Sequence, residues 1–437
     1  MKNKITNFMS PITMIIIIAM IMVGYIVNCS APSKSETNNA ATTSSVYTTT
    51  TSRGDLVDYT ITGSNASIKW NVTNVTGVIQ FTMNIAATCG AQHATYGYRT
   101  CTIGTASCTA GAAACPGGTA PSGTFDVMEI PGTAVIVHIP AAVATAAEGA
   151  TAKEELHAGF ISGGCPADIS GDYTFIRVGR ANVDYAANDL FGMYRVDATF
   201  NNVSHAEFGM STTGAALLNT AVASYATGTP VTGAATLTGT TCQNGVFTRT
   251  LGGTQTLRIN ATAGGTFIVD MPAGQGGLIS FKTTNAAVIA DMANRNWWGI
   301  SFHDGGMPGL VSVTSSALAG NQVSVTGTTS DGGTITSVPI QPVSDAALAA
   351  KFAAPAAYTS SGNALQTTYA APINIPGLMQ ISQAPDSNIV VVASKTGSQV
   401  MMFGTIYNFR NATGTGCAAG TAGCMPRNAG NFIVFSH

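Results

Sequence analysis

The stretch Trp297-Trp298-Gly299-Ile300-Ser301-Phe302-His303-Asp304 holds the residue types that come nearest to chemistry. An indole stacks on sugars and aromatic ligands, and a histidine beside an aspartate can act as acid and base. On a strand, Trp297 and Trp298 would point to opposite faces, one into a core and the other toward solvent or a cleft. Trp297, Trp298, His303 and Asp304 are therefore the candidate ligand-binding residues. The plainer alternative is a core tryptophan followed by a hairpin turn at Asp304-Gly305-Gly306. None of the six histidines stands at ligand spacing from another, so no metal and no cofactor is expected. Asp168, Asp172, Asp184, Asp189 and Asp197 interleave with Arg177, Arg180 and Arg195, a pattern that reads as balanced surface ion pairs rather than a calcium site. The chain has no nucleophile elbow, zinc-protease, phosphate-loop or EF-hand motif. No catalytic residue is assigned, and the expectation is a protein that is not an enzyme. A hydrolase using His303 and Asp304 is the least favoured alternative.

The nine cysteines point to an exported protein. Cys29 stands apart from Cys89, Cys101, Cys108, Cys115, Cys165, Cys242, Cys417 and Cys424, an even set able to form disulfides in an oxidising compartment. Gly, Ala, Thr and Ser fill the intervals between Cys101, Cys108 and Cys115, so these read as staples of a long loop over 90–122. The preferred pairings are Cys417 with Cys424 and Cys165 with Cys242. Upstream, Lys2 and Lys4 precede an apolar run from Ile12 to Val27, the layout of a secretory signal peptide. Its last four residues, Ile26-Val27-Asn28-Cys29, resemble the lipobox of bacterial lipoproteins, with Asn28 departing from the usual small residue. That resemblance implies a lipid on Cys29, a membrane partner through this N-terminal lipid, and, with Ser30 following, a place in the outer membrane of the cell envelope. The alternatives are simple secretion and an uncleaved helix, although the run is shorter than the ~20 apolar residues that span a bilayer.

Composition and patterning set the frame for these residues. Only 9% of the chain is charged and the net charge is −2, so the basic footprint of a nucleic-acid binder is missing. From Leu56 onward, short runs alternate apolar and polar residues with Val, Ile, Thr, Phe and Tyr, separated by Gly-, Asn- and Asp-rich turns. The fold class is mainly β: an antiparallel meander forming a sandwich or barrel. Helices are expected only at Ala141–His157, Ser344–Pro355 and Thr284–Asn296. The divisions are a signal peptide at 1–28, a Ser/Thr-rich tether at 29–54, an N-terminal β region with a Cys-rich loop at 55–160, and a C-terminal antiparallel β domain at 161–437. No repeat of 20–50 residues is visible, which counts against a propeller or solenoid. Gly171-x-Tyr173 resembles the Gly-x-Trp of the first lipocalin strand, which implies a barrel able to hold a ligand. The function expected first is a lipid-anchored envelope protein acting by adhesion or structural interaction, with an envelope protein or glycan as partner. The alternative is a binding module whose β-barrel or sandwich cleft takes a glycan or small apolar ligand.

Overall fold

The computed structural model describes residues 44–437 except 52–53, 74–77, 110–118, 149–153, 167, 179–189, 197–202, 210–237, 240–241, 243–244, 252–254, 262–264, 271–276, 304–308, 345–346, 348–358, 361–362, 365–374, 385–386, 412–414 and 419–424. The alternating runs form antiparallel strands, and these assemble into three successive eight-stranded units.

The first unit is a closed barrel of β1 (Ser45–Thr51), β2 (Leu56–Thr62), β3 (Asn65–Thr73), β4 (Ile79–Cys89), β5 (Tyr98–Thr109), β6 (Thr124–Ile130), β7 (Ala134–Ile139) and β8 (Glu155–Ile161). Each strand pairs with the next, and β8 returns to pair with β1. The middle unit contains β9 (Gly171–Val178), β10 (Leu190–Val196), β11 (Val203–Gly209), β12 (Thr238–Gly239), β13 (Val246–Leu251), β14 (Gln255–Ala261), β15 (Thr266–Asp270) and β16 (Gly277–Lys282). Its order, β11-β10-β9-β16-β15-β14-β13-β12, is the same cyclic sequence opened between β11 and β12. The third unit is again a closed barrel, of β17 (Asn296–His303), β18 (Gly309–Ser315), β19 (Val323–Thr329), β20 (Thr334–Pro342), β23 (Leu378–Ala384), β24 (Ser387–Thr396), β25 (Gln399–Arg410) and β26 (Met425–Ser436). A small hairpin, β21 (Thr359–Ser360) and β22 (Asn363–Ala364), lies between β20 and β23.

Each closed barrel is filled by its own side chains. Tyr47, Tyr59, Trp70, Met83, Phe125 and Val137 belong to the core of the first, while Trp297, Val313, Val391, Met402 and Val434 belong to that of the third. A further core lies between the units. Ile136, Leu156 and Phe160 of the first barrel meet Ile176, Met193 and Ile279 of the middle sheet and Val390, Phe403 and Phe435 of the third barrel. Burying side chains of this size contributes about 1.5–3 kcal/mol each, which binds the three units into one body. Hydrogen bonds join every pair of units: Thr50 Oγ1 to Val269 O at 3.3 Å, Thr174 Oγ1 to Pro376 O at 3.0 Å, and Tyr96 OH to Thr329 O at 3.1 Å.

Several sequence expectations are corrected here. The Thr-rich run Ser45–Thr51 of the expected tether is β1, because β-branched threonines pair readily between β2 and β8. Much of the expected loop over 90–122 is β5, in which Cys101 pairs directly with Cys89 across the ladder and bonds to it covalently. The helix expected over Ala141–His157 stops early: α1 spans Ala141–Glu148, and Glu155–Ile161 is strand. Thr284–Asn296 contains two 3₁₀ turns, Thr283–Asn285 and Ile289–Met292, and Asn296 already opens β17. For the third expected helix, Ala347 N donates to Ser344 Oγ at 3.1 Å, as an N-cap requires, and residues 348–358 lie outside the described residues. Asp331-Gly332-Gly333 forms the turn that joins β19 to β20. Cys165 and Cys242 are bonded as expected and close 77 residues of the middle unit. Cys108 and Cys417 are disulfide-bonded too, whereas Cys29, Cys115 and Cys424 lie outside the described residues.

Candidate functional site

The two tryptophans separate as strand geometry requires. Trp297 is fully buried inside the third barrel, where its Nε1–H donates to Ser315 Oγ at 3.2 Å. Trp298 faces the other way, toward the seam between the first and third barrels. Its indole stacks on the His437 imidazole with ring centroids 3.6 Å apart, and the backbone of Gly97 lies against it so closely that a Cβ there would come within 2.1 Å of the ring. Tyr96 and Tyr98 of the first barrel pack at the same seam. Trp297 is thus a core residue, and Trp298 is half-buried at the seam. His303 ends β17, and Asp304 lies outside the described residues. Among the charged residues of the middle unit, Arg195 holds Asp172 with two bonds, Nε to Oδ1 at 2.6 Å and Nη2 to Oδ2 at 3.0 Å, as a surface pair. Among the described residues no group of three or more His, Cys, Asp or Glu side chains is placed to hold a metal ion.

A different surface stands open. On β3 and β4 of the first barrel, exposed and buried residues alternate, so one face of this sheet looks outward. The registers align its outward residues in rows across β2, β3, β4 and β5. One row is Thr60, Ser67, Ala86 and Thr105; the next is Asp58, Lys69, Asn84 and Ser107. Neighbouring strands stand about 4.8 Å apart, so hydroxyls and amides repeat across the face at that interval. These two rows, with Val46, Ile68, Ile85 and Ala106, line a groove of about 470 Å³. Its single carboxylate and single ammonium are direct cross-strand partners, which leaves the groove neutral. Asp58 also accepts from Thr48 Oγ1 at 2.8 Å, and partial burial raises its carboxyl above the ordinary range despite that bond and Lys69.

Polar networks close the first barrel at both ends. At one end Glu129 accepts from Tyr47 OH at 2.8 Å and from Arg99 Nη2 at 2.7 Å, while Arg99 Nη1 donates to Gly63 O at 2.7 Å. At the other end the sequence places titratable groups where α1 plugs the barrel with Val143 and Ala144. Asp55, in the β1–β2 turn, accepts from Thr73 N at 2.9 Å, Thr73 Oγ1 at 3.0 Å and Trp70 Nε1 at 3.1 Å. Tyr59 OH donates to His157 Nδ1 at 2.6 Å, and His157 Nε2–H donates to Glu155 Oε2 at 3.2 Å. This tautomer is the one that gives both bonds a donor with a neutral imidazole, the form that burial favours. Asp55, Tyr59, Trp70, Glu155 and His157 are all buried. Burial, then the nearby Glu155 charge, push Asp55 up to about 6, against the pull of its three hydrogen bonds. Tyr59 is raised well above its ordinary value by the same two causes.

Sequence reasoning missed both features. The groove needs the register of four strands, and the buried network joins residues 55, 59, 70, 73, 155 and 157, which no local motif connects. One signal was available: Glu155 and His157 sit two apart in the strand-like run Glu155–Ile161, so they share a face. No protein-family model matches the chain, and no curated protein matches it either.

Proposed function

We propose that this chain is a non-enzymatic protein of the bacterial cell envelope, lipid-anchored through Cys29, that works by adhesion or structural interaction through the outer face of its first barrel. The observation that carries this reading is the contrast between faces of that barrel. On the outer side of β6 to β8, Met128, Ala134, Ile136, Leu156, Ala158 and Phe160 pack into the shared core, with Asp126 and His138 beside them, while the outer side of β2 to β5 is exposed, neutral and rich in hydroxyls. A face of this kind supports recognition by many weak hydrogen bonds, and its low charge suits a neutral partner. The signal segment and the oxidised cysteines support export. The groove, in which hydroxyl and amide side chains alternate with Val46, Ile68, Ile85 and Ala106, also supports the second reading, a binding module for a glycan or a small apolar ligand.

Two experiments test the proposal. Fatty-acid labelling of the native chain, compared with Cys29→Ala, should lose the label in the variant; equal labelling removes the anchor. Binding of the full chain to envelope fractions and to arrayed neutral glycans should fall about tenfold or more when Ala86 is changed to Arg in the groove. Unchanged binding by a folded Ala86→Arg variant takes the interaction away from this face.

A further inference from the structure

We propose that the α1-capped end of the first barrel is a proton-binding site, in which Asp55 takes up a proton in mild acid and so relieves its repulsion with Glu155 and tightens the barrel. The inference stands on how the groups are enclosed. Asp55 and Glu155 are both 1% exposed and His157 is 0% exposed, so all three are cut off from solvent. The Trp70 ring stands between them: its Nε1–H is bonded to Asp55, and its ring meets the His157 imidazole edge-on at 4.7 Å. His157 in turn is bonded to Glu155. Two carboxyl groups thus share one enclosed space.

Among the described residues, the elements around them supply no cation inside the barrel. Tyr59 comes from β2, Trp70 and Thr73 from β3, Thr49 and Thr51 from β1, and α1 contributes Val143, Ala144 and Ala146 among the described side chains. On β7 the nearest titratable group is His138, which lies on the outside of the barrel between Asp126 at 3.6 Å and Glu154 at 3.8 Å. Burial keeps His157 neutral, so it offers a hydrogen bond and no charge. Glu155 Oε1 has no hydrogen-bond partner among the described residues. Two buried carboxylates with no counter-charge among the described residues are costly, and a proton taken from solvent removes one of the charges. Asp55 is the acceptor, because burial and Glu155 together push it up to about 6.

Infrared spectra of the full chain, recorded against pH, test the site. A buried carboxylic-acid carbonyl band should appear as the pH falls from about 7 to about 5, and Asp55→Asn should abolish it. In Glu155→Gln, which keeps an oxygen acceptor for His157, the midpoint of that band should move down by about one pH unit or more, the scale of strongly interacting sites. A midpoint unchanged in Glu155→Gln overturns the repulsion, and a band that survives in Asp55→Asn assigns the proton elsewhere. Should Asp55→Asn fail to fold, Glu155→Gln alone still decides the question.

Discussion

Both closed barrels seal their first strand to their last at a glycine. In the first, a Cβ on Gly159 would meet Thr48 O at 2.0 Å and Thr49 Cα at 2.5 Å. In the third, a Cβ on Gly299 would meet Ile433 O at 2.3 Å and Val434 Cα at 2.8 Å. The seams are alike and the interiors are not. The first barrel encloses Asp55, Glu155 and His157, and Glu129 and Arg99 tie its opposite end. The third is packed with apolar side chains, plugged by Ala287, Ile289 and Met292, and its Trp297 is satisfied by one serine. One topology therefore tolerates a titratable core or an inert one, because closure depends on the backbone seam and on filled volume rather than on the polarity of what fills it.

The largest expected effect would break the likeness between the barrels. Gly159→Ala and Gly299→Ala each force backbone apart at a seam and should cost about 3 kcal/mol or more in urea unfolding. If one variant unfolds like the native chain, the seams are not equivalent. Next is Glu129→Ala, which strands Arg99 and the buried Tyr47 hydroxyl. A loss of about 2–3 kcal/mol is expected by the same measurement, with no counterpart in the third barrel.

The pH dependence should separate the two interiors. Asp55 is raised from 3.8 to about 6, so its contribution is present at low pH and is lost as pH rises from about 4 through 6. That shift corresponds to at most about 3 kcal/mol. His157 is lowered, so its contribution is present above about 6.5 and is lost as pH falls. Going from about pH 7 to about pH 5, Asp55 should contribute a gain on the order of 1 kcal/mol in urea unfolding, which the neutral His157 opposes with a loss of similar size. Asp55→Asn should leave the loss alone on acidification, and His157→Gln should leave the gain alone. A pH response identical in all three chains would place the titration outside the first barrel. The smallest effect belongs to the third barrel's surface: Lys395→Ala removes an ion pair with Asp291 whose lysine is 42% exposed, and should change stability by about 0.5 kcal/mol.

Strand faces were partly legible along the chain. The alternating runs of β3 and β4 announce one wet face and one dry one. The nearly unbroken apolar runs of β7, β24 and β25 mark strands buried on both sides, in their own barrel and in the shared core. Trp297 and Trp298 split between core and seam as their adjacency requires. What misled was local composition: the threonines of β1 look like a linker until β2 and β8 pair with them, and the alanines after Pro140 suggest a helix that runs on into β8.

Taken alone, the residue order determined an antiparallel β protein with oxidisable cysteines and a scarcely charged surface, because period-two patterning, turn residues and composition act locally. Closure of the first and third units, the core they share with the middle sheet, the groove across β2 to β5 and the meeting of Asp55 with Glu155 were decided by tertiary structure. Each depends on contacts between residues many positions apart, and pairing register, not sequence neighbourhood, sets which side chains share a face.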